Sequence, residues 1–284
     1  MSLAESLRFC QELGFGVVDV SGGQIGVDTM VDDPVRTADD LRALALLHRM
    51  RFSELFLNVV DVDGEGVMPS EPDDAKRARM LERFSSICAC VGEADFSSVM
   101  GPKTGPVPDD AAKSRAYACL NEMVAIARGH GLAYHVEIGG GYDNTPHREL
   151  AEAVPGLRYT LDYAHSLPRG AALENVMQMH ELTGHIHAKP AFPGRTKAFA
   201  HLSTIPWETI FADLQARGWS GDVVVECIAY PVEDGELDRP AFIEIAEPFE
   251  KLPVDPGPLS HPAFQTVRYA YDVLLAMRAA GVAG

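Results

Sequence analysis

Four acid or imidazole side chains stand where short apolar runs stop. Glu137 closes HVE, Asp162 closes TLD, His187 closes HIH and Glu226 closes VVVE. Their separations are 25, 25 and 39 residues, room for one strand–helix unit each. If the runs are parallel strands joined by helical crossovers, their last residues lie at one end of a sheet, where side chains from successive strands can converge. Three carboxylates gathered in this way repel one another, and their pKa values rise unless a cation neutralises them. Oxygen-rich ligands with a single imidazole suit Mn²⁺, Mg²⁺ or Co²⁺, and Zn²⁺ also accepts them. The expected cofactor is one divalent metal ion, Mn²⁺ in the first place, held by Glu137, Asp162, His187 and Glu226. Taken singly, each of the four reads as a helix cap or a surface ion-pair partner. Their shared position at four consecutive strand ends carries the reading.

The elements that must place these residues alternate along the chain. Helical spacing of apolar residues, with caps and glycine stops, predicts helices over 2–14, 37–50 (capped by Thr37), 73–92, 109–131, 147–156, 171–182, 205–219 and 261–281. Strands are expected over 15–23, 52–62, 95–102, 132–140, 157–165, 184–190 and 222–230. A dinucleotide fingerprint GxGxxG is absent, since GGGYDN lacks its spacing. The length of 284 residues is close to the roughly 250 typical of a (β/α)₈ barrel. The expected fold is an α/β class (β/α)₈ TIM barrel formed by one domain, 1–284, with its first strand lacking or truncated. Seven strands are counted, because a helix begins at residue 2 with no strand before it. The opening MSL reads as vector-derived or as the remnant of a longer start, and 231–262 as an unusual closing strand.

Composition narrows the function classes. With 46% hydrophobic and 23% charged residues, the chain has an ordinary globular balance. Its net charge of −17 repels phosphate backbones, which argues against nucleic-acid partners and against highly anionic substrates. The five cysteines, Cys10, Cys88, Cys90, Cys119 and Cys227, match neither a redox pair nor a zinc knuckle and read as free thiols. No signal peptide opens the chain, and runs such as ALALL are too short to span a bilayer. A cytoplasmic protein without membrane partners is expected.

The segments HVEIGG, LDYAH, GHIHAKPAFPGR and IPWETIFADLQARGWSGDVVVEC resemble the sugar isomerase/epimerase superfamily with xylose-isomerase-like barrels, which includes ketose 3-epimerases, hydroxypyruvate isomerase, inosose dehydratase and, more distantly, endonuclease IV. The likeness covers about 15–230 and rests on the DxxH, HxH and terminal Glu set. It implies metal ligands at Glu137, Asp162, His187 and Glu226, with Glu137 and Glu226 as the catalytic acid–base pair. His165, three residues past Asp162, resembles a substrate-oxygen contact; its bland alternative is a capping histidine. Arg195 resembles an arginine that anchors a substrate oxygen, against a surface loop arginine. Lys189 either polarises a carbonyl or pairs with a ligand carboxylate. His135 and His185, two residues before proposed ligands, read as packing or supporting groups. Asn58 and Asp61 read as loop or core residues, GGGYDN as a flexible mouth loop and Trp207 as core. Phe192 and Phe199 could wall a sugar site. The stretch AHLSTIPW departs from the Gly-rich turn of relatives and leaves His201 unplaced.

The resemblance implies a metal-dependent isomerase or epimerase of sugars that abstracts a proton beside a carbonyl. A dehydratase or lyase on the same site and a non-catalytic sugar-binding barrel are the alternatives. A nuclease would need a trinuclear zinc site with more histidines and basic loops. The expected partner is a small sugar, unphosphorylated since no phosphate cup is apparent, and the expected assembly a homodimer or a subunit of a larger complex.

Overall fold

The computed structural model describes residues 2–12, 14–191, 203–226 and 262–281. Seven parallel strands follow one another in the sheet in chain order: β1 (Val17–Ser21), β2 (Arg51–Phe56), β5 (Ser98–Met100), β6 (Ala133–Ile138), β7 (Leu157–Asp162), β8 (Thr183–Ala188) and β9 (Asp222–Val225). All seven expected strands are present, alternating with helices as in a TIM barrel. The stretch 231–262 expected to close the sheet lies almost wholly outside the described residues. The chain divides into two compact units, Met1–Glu137 with Pro146–Tyr159, and Ile138–Thr145 with Thr160–Gly284.

In the first unit β1, β2, β5 and β6 pair in parallel, with Val18 opposite Phe52, Glu54 opposite Ser98 and Met100 opposite His135. Helices α1 (Leu3–Glu12), α4 (Pro34–His48), α5 (Asp74–Glu93) and α6 (Asp110–Gly129) surround them. Aspartates start three of these: Asp33 accepts from the Arg36 amide, Asp73 from those of Ala75 and Lys76, and Asp109 from that of Ala112. Along α5 the buried stripe is Met80, Phe84, Ile87 and Val91, and along α6 it is Ala116, Leu120, Met123 and Ala127. Phe84 meets the Tyr134 ring edge-on at 5.9 Å, and Phe52 stacks on Phe96 at 4.6 Å. Burying one such aromatic is worth about 2–3 kcal/mol.

Two local expectations are corrected here. Helix α4 starts at Pro34 rather than Thr37, because proline suits a first turn. The Thr37 hydroxyl instead donates to the Asp33 carbonyl at 2.7 Å inside the helix. The expected strand 52–62 is two: after β2, the chain forms a hairpin of β3 (Val60–Val62) and β4 (Glu65–Val67). Asp63 and Gly64, with φ of 57° and 84°, make its turn, and the Asp61 carboxylate accepts from the Gly64 amide at 3.0 Å. Between β1 and α4 lie two short helices, α2 (Gly22–Ile25) and α3 (Val27–Asp32), the first opened by a capping box between Ser21 and Gln24.

In the second unit β8 and β9 pair in parallel, His187 opposite Val224. Helices α9 (Trp207–Ala216) and α10 (Pro262–Ala280) pack on each other, while α7 (Thr145–Ala153) lies almost wholly in the first unit. The helix expected at 171–182 is a short α8 (Leu173–Met177) and a single 3₁₀ turn, His180–Leu182. Trp207 is a core residue, as expected. Its ring stacks on Phe211, meets Tyr163 edge-on at 5.6 Å and donates from Nε1 to the Tyr269 hydroxyl at 2.6 Å. Tyr163 in turn bonds His180 Nε2, whose Nδ1 lies 2.6 Å from Asp213 Oδ2.

Candidate metal centre

Strand β7 runs into the 3₁₀ turn Tyr163–His165, and Asp162 is the residue at the junction. Its Oδ1 accepts the Ala164 amide at 2.8 Å, so one oxygen is committed to capping the turn. In a 3₁₀ turn residues three apart eclipse, which is why the DxxH spacing sets His165 over its own cap: His165 Nε2 stands 3.1 Å from Asp162 Oδ2. Asp162 is fully buried. Burial pushes its carboxyl pKa up, and Lys189 and His165 pull against that rise.

From β8 the alternation of side chains sends His185 and His187 to one face, their rings edge-to-face at 5.4 Å, and both are buried. Lys189 follows two residues later, also buried. Its Nζ reaches Asp162 Oδ2 at 3.3 Å and Glu226 Oε1 at 3.0 Å. Burial works against the ammonium, but the two carboxylates outweigh it and raise its pKa. Of the two roles open to Lys189 in the sequence, the pairing with carboxylates is the one observed.

Glu226 stands one residue past β9, placed by its own amide donating to the Ala188 carbonyl at 3.0 Å. Burial would raise its pKa, yet the nearby His187 and Lys189 outweigh that and hold it at about 2. Its Oε2 lies 3.4 Å from His187 Nδ1, an ion-pair distance without hydrogen-bond alignment. That oxygen is buried and accepts no hydrogen bond among the described residues. Asp162 with His165, and His187 with Glu226, each offer ligand atoms within 4.8 Å of one another. Two carboxylates, one of them with a buried oxygen that accepts no hydrogen bond among the described residues, and two imidazoles form a donor set that fits a divalent cation.

Glu137 is the penultimate residue of β6 and the last of the first unit. Its side chain is 13% exposed, with Lys103 Nζ 3.8 Å from Oε2. Lys103 follows β5 by three residues and was missed in the sequence, where SVMGPK carries no acid or histidine to flag it. The glycines after Glu137 form a packed corner rather than an open loop. Ser166 Oγ donates to the Gly139 carbonyl at 2.7 Å, and a Cβ on Gly139 would lie 2.8 Å from that of His165. Gly141 has φ of 91°, and its Cβ would meet Val176 Cγ2 at 2.4 Å. Thus the backbone two residues beyond Glu137 touches the turn that carries His165.

A second polar cluster was also missed. Glu54, mid-strand in β2 and 1% exposed, accepts from Ser98 Oγ at 3.0 Å and lies 2.5 Å from His135 Nδ1. Asp19 Oδ1 accepts the Glu54 amide at 3.0 Å. His135 is thus a buried partner of Glu54. Asn58 is exposed and Asp61 serves the hairpin. Cys10, Cys88, Cys90 and Cys119 are free thiols, and burial pushes Cys90 and Cys119 up to about 11. Arg195, Phe192, Phe199, His201 and Cys227 lie outside the described residues.

The parallel strands alternating with helices have the arrangement of a TIM barrel, with acids and imidazoles at strand ends that could hold a metal. The model of the xylose isomerase-like TIM barrel family matches residues 7–245, and the chain belongs to that family. No curated protein matches the chain. Among solved structures, D-psicose 3-epimerase from Clostridium cellulolyticum H10, crystallised with D-tagatose, aligns with TM-score 0.68 and 15% identity, covering 100% of this chain and 95% of its own. The 3-keto-D-glucoside 4-epimerase from E. coli aligns with TM-score 0.62 and 15% identity over 86% and 94% of the two chains. A Bacillus anthracis protein described as a probable 3-DHS dehydratase aligns with TM-score 0.61 and 13% identity over 83% and 90%. At these identities the likeness establishes the fold.

Proposed function

We propose that the chain is a divalent-metal-dependent isomerase or epimerase of small sugars, working as a single barrel domain in the cytoplasm. The observation that carries the reading is the buried, orphaned Oε2 of Glu226 beside His187, with Asp162 presented on the neighbouring turn. Glu137 is the proposed fourth ligand, supported by the packing of Gly139 on the His165 turn. Likeness in fold to two sugar epimerases supports the substrate class. Among the described residues no helix is long and apolar enough to cross a membrane.

A divalent ion held by these residues would polarise the carbonyl and adjacent hydroxyl of a keto sugar and acidify the C–H between them. Glu137 or Glu226 then removes that proton. Glu226, held well below the usual carboxylate range, is in the ionised form a base requires. Charge developing on the substrate oxygens meets His165, Lys189 and, by the family resemblance, Arg195. Return of the proton from the opposing glutamate to the other face yields the epimer, and return to the neighbouring carbon yields the isomer. Loss of a β-hydroxyl from the same carbanion is dehydration, a second reading favoured by the fold shared with the dehydratase.

Elemental analysis of chelator-free protein and NMR of ketoses incubated with it in D₂O test the reading. About one ion per chain, lost in Glu226→Gln, and deuterium appearing beside the carbonyl are expected. A new unsaturated product would select the dehydratase. No metal after soaking in Mn²⁺, or sugar binding with no C–H exchange, would leave a binding barrel and sink the proposal.

A further inference from the structure

A string of polar side chains runs from the surface to the back of the turn that carries Asp162 and His165, and none of its members takes part in the proposed chemistry. Tyr163 follows Asp162 directly. Because Asp162 is extended, with φ of −114° and ψ of 105°, the two side chains leave the backbone on opposite sides. Asp162 meets Lys189 and His165, whereas Tyr163 meets Trp207 edge-on at 5.6 Å and bonds His180 Nε2. His180 Nδ1 lies 2.6 Å from Asp213 Oδ2, and Arg217 Nε donates to the same oxygen at 2.6 Å. All four residues belong to the second unit. The string passes from buried Tyr163 and His180 to the Asp213 side chain, 26% exposed, and that of Arg217, 42% exposed. The direction of each bond follows. Burial would raise the Asp213 pKa, but Arg217 and His180 hold it below its ordinary value, so the carboxylate only accepts and His180 carries its proton on Nδ1. Burial pushes the His180 pKa down despite Asp213, which leaves the ring neutral and Nε2 an acceptor for the Tyr163 hydroxyl.

We propose that His180 is a positioning residue of the metal centre: Asp213 fixes its Nδ1–H tautomer, and its Nε2 holds the Tyr163 hydroxyl so that Asp162 and His165 are presented in one orientation. This role deepens the metal-site reading above and rests on it. Packing of the Tyr163 ring on Trp207 resists separation but not sliding, since dispersion has little direction, whereas a hydrogen bond fixes both distance and angle. In so buried a place no water stands ready to replace the bond, and a shift of Tyr163 would leave His180 Nε2 without its donor. Asp162 Oδ1 is tied to the Ala164 amide in the same turn, so a displaced Tyr163 moves the proposed ligand and its cap together.

The test compares wild-type protein with Tyr163→Phe and His180→Gln by calorimetric titration with Mn²⁺, alongside urea midpoints. Tyr163→Phe keeps the ring and deletes the one oxygen that His180 holds; it is expected to bind Mn²⁺ about tenfold more weakly. His180→Gln keeps an acceptor for Tyr163 and a donor for Asp213, and should recover most of that loss. A merely structural bond would lower the urea midpoint of Tyr163→Phe and leave the Mn²⁺ affinity of the folded protein unchanged, which would overturn the positioning role; so would an equal loss of affinity in both variants. A wild-type measurement removes dependence on the variants folding. In ¹⁵N-histidine NMR, His180 should show Nδ1 protonated and Nε2 bare, and the Nε2 signal should shift as Mg²⁺ saturates the protein. The opposite tautomer, or an Nε2 signal unmoved at saturation, would overturn the inference and leave the metal site standing. Failure of wild type to bind either Mn²⁺ or Mg²⁺ would overturn the site and the positioning role together.

Discussion

Asp162 caps its turn with one oxygen and meets Lys189 and His165 with the other, and the division can be tested. Asparagine caps a helical turn as well as aspartate does, so Asp162→Asn should keep the Tyr163–His165 turn. It removes the negative charge that pairs with Lys189 and that the proposed metal site would use. Mn²⁺ affinity is expected to fall by more than about 100-fold with an unchanged circular dichroism spectrum; affinity equal to wild type would remove Asp162 from the ligand set. Residue types were readable at Asp162, His165, His187 and Glu226 because an acid or histidine that ends an apolar run is conspicuous. Glu54 was not, since a charge within FSELF looks like an exposed strand position until Ser98 and His135 are seen to satisfy it. Lys103 was missed for the opposite reason, as one of many surface-type lysines.

At the scale of elements, the Gly139–Asn144 corner and the Tyr163–His180–Asp213 string hold the site's turn from two sides. Gly141 combines positive φ with contact against Val176, and its amide donates to Asn144 Oδ1 at 2.9 Å. Gly141→Ala is expected to cost about 1–3 kcal/mol, measured as a lowered urea midpoint; a midpoint within error of wild type would show that the corner yields freely. Asp213 supports His180 from outside. Burial works to raise the Asp213 pKa, but Arg217 and His180 outweigh it and depress it. A depressed carboxylate pKa stabilises the fold above the unfolded value and loses that contribution as pH falls through the folded value. Asp213→Asn should therefore melt lower than wild type at pH 7, by about 1–2 kcal/mol. The gap should narrow as pH falls below about 4 and on through the depressed folded value. A gap that does not change with pH would mean the charge is irrelevant. Helices and strands were legible from periodicity, whereas the DG hairpin was overrun by the apolar pattern on its near side.

For the whole molecule, a metal that binds only the folded chain must raise its stability. At one hundred times its dissociation constant the gain is about 2.7 kcal/mol, or several degrees in melting temperature for a chain of this length. Mn²⁺ should raise the melting temperature and chelator reverse the rise; no response at saturating metal would contradict a native site. The net charge of −17 adds a second expectation at this scale. Neutral ketoses should show little dependence of KM on salt, whereas anionic sugar acids should bind better as salt screens the field over a Debye length of about 10 Å at 0.1 M. Equal salt dependence for both would show that the local charge of the mouth, and not the average, governs entry.

By itself the sequence determined the alternation of strand and helix, the seven strands and the strand-end acids, because hydrophobic period and chain position are local properties. The tertiary structure alone decided which oxygens are free. That Asp162 divides its oxygens between the Ala164 amide on one side and Lys189 with His165 on the other, that Glu226 has an orphaned oxygen, and that Lys189 stands between the two carboxylates depends on side chains meeting across strands far apart in the chain. Such meetings are set by strand register and turn geometry, and no local pattern of residues encodes them.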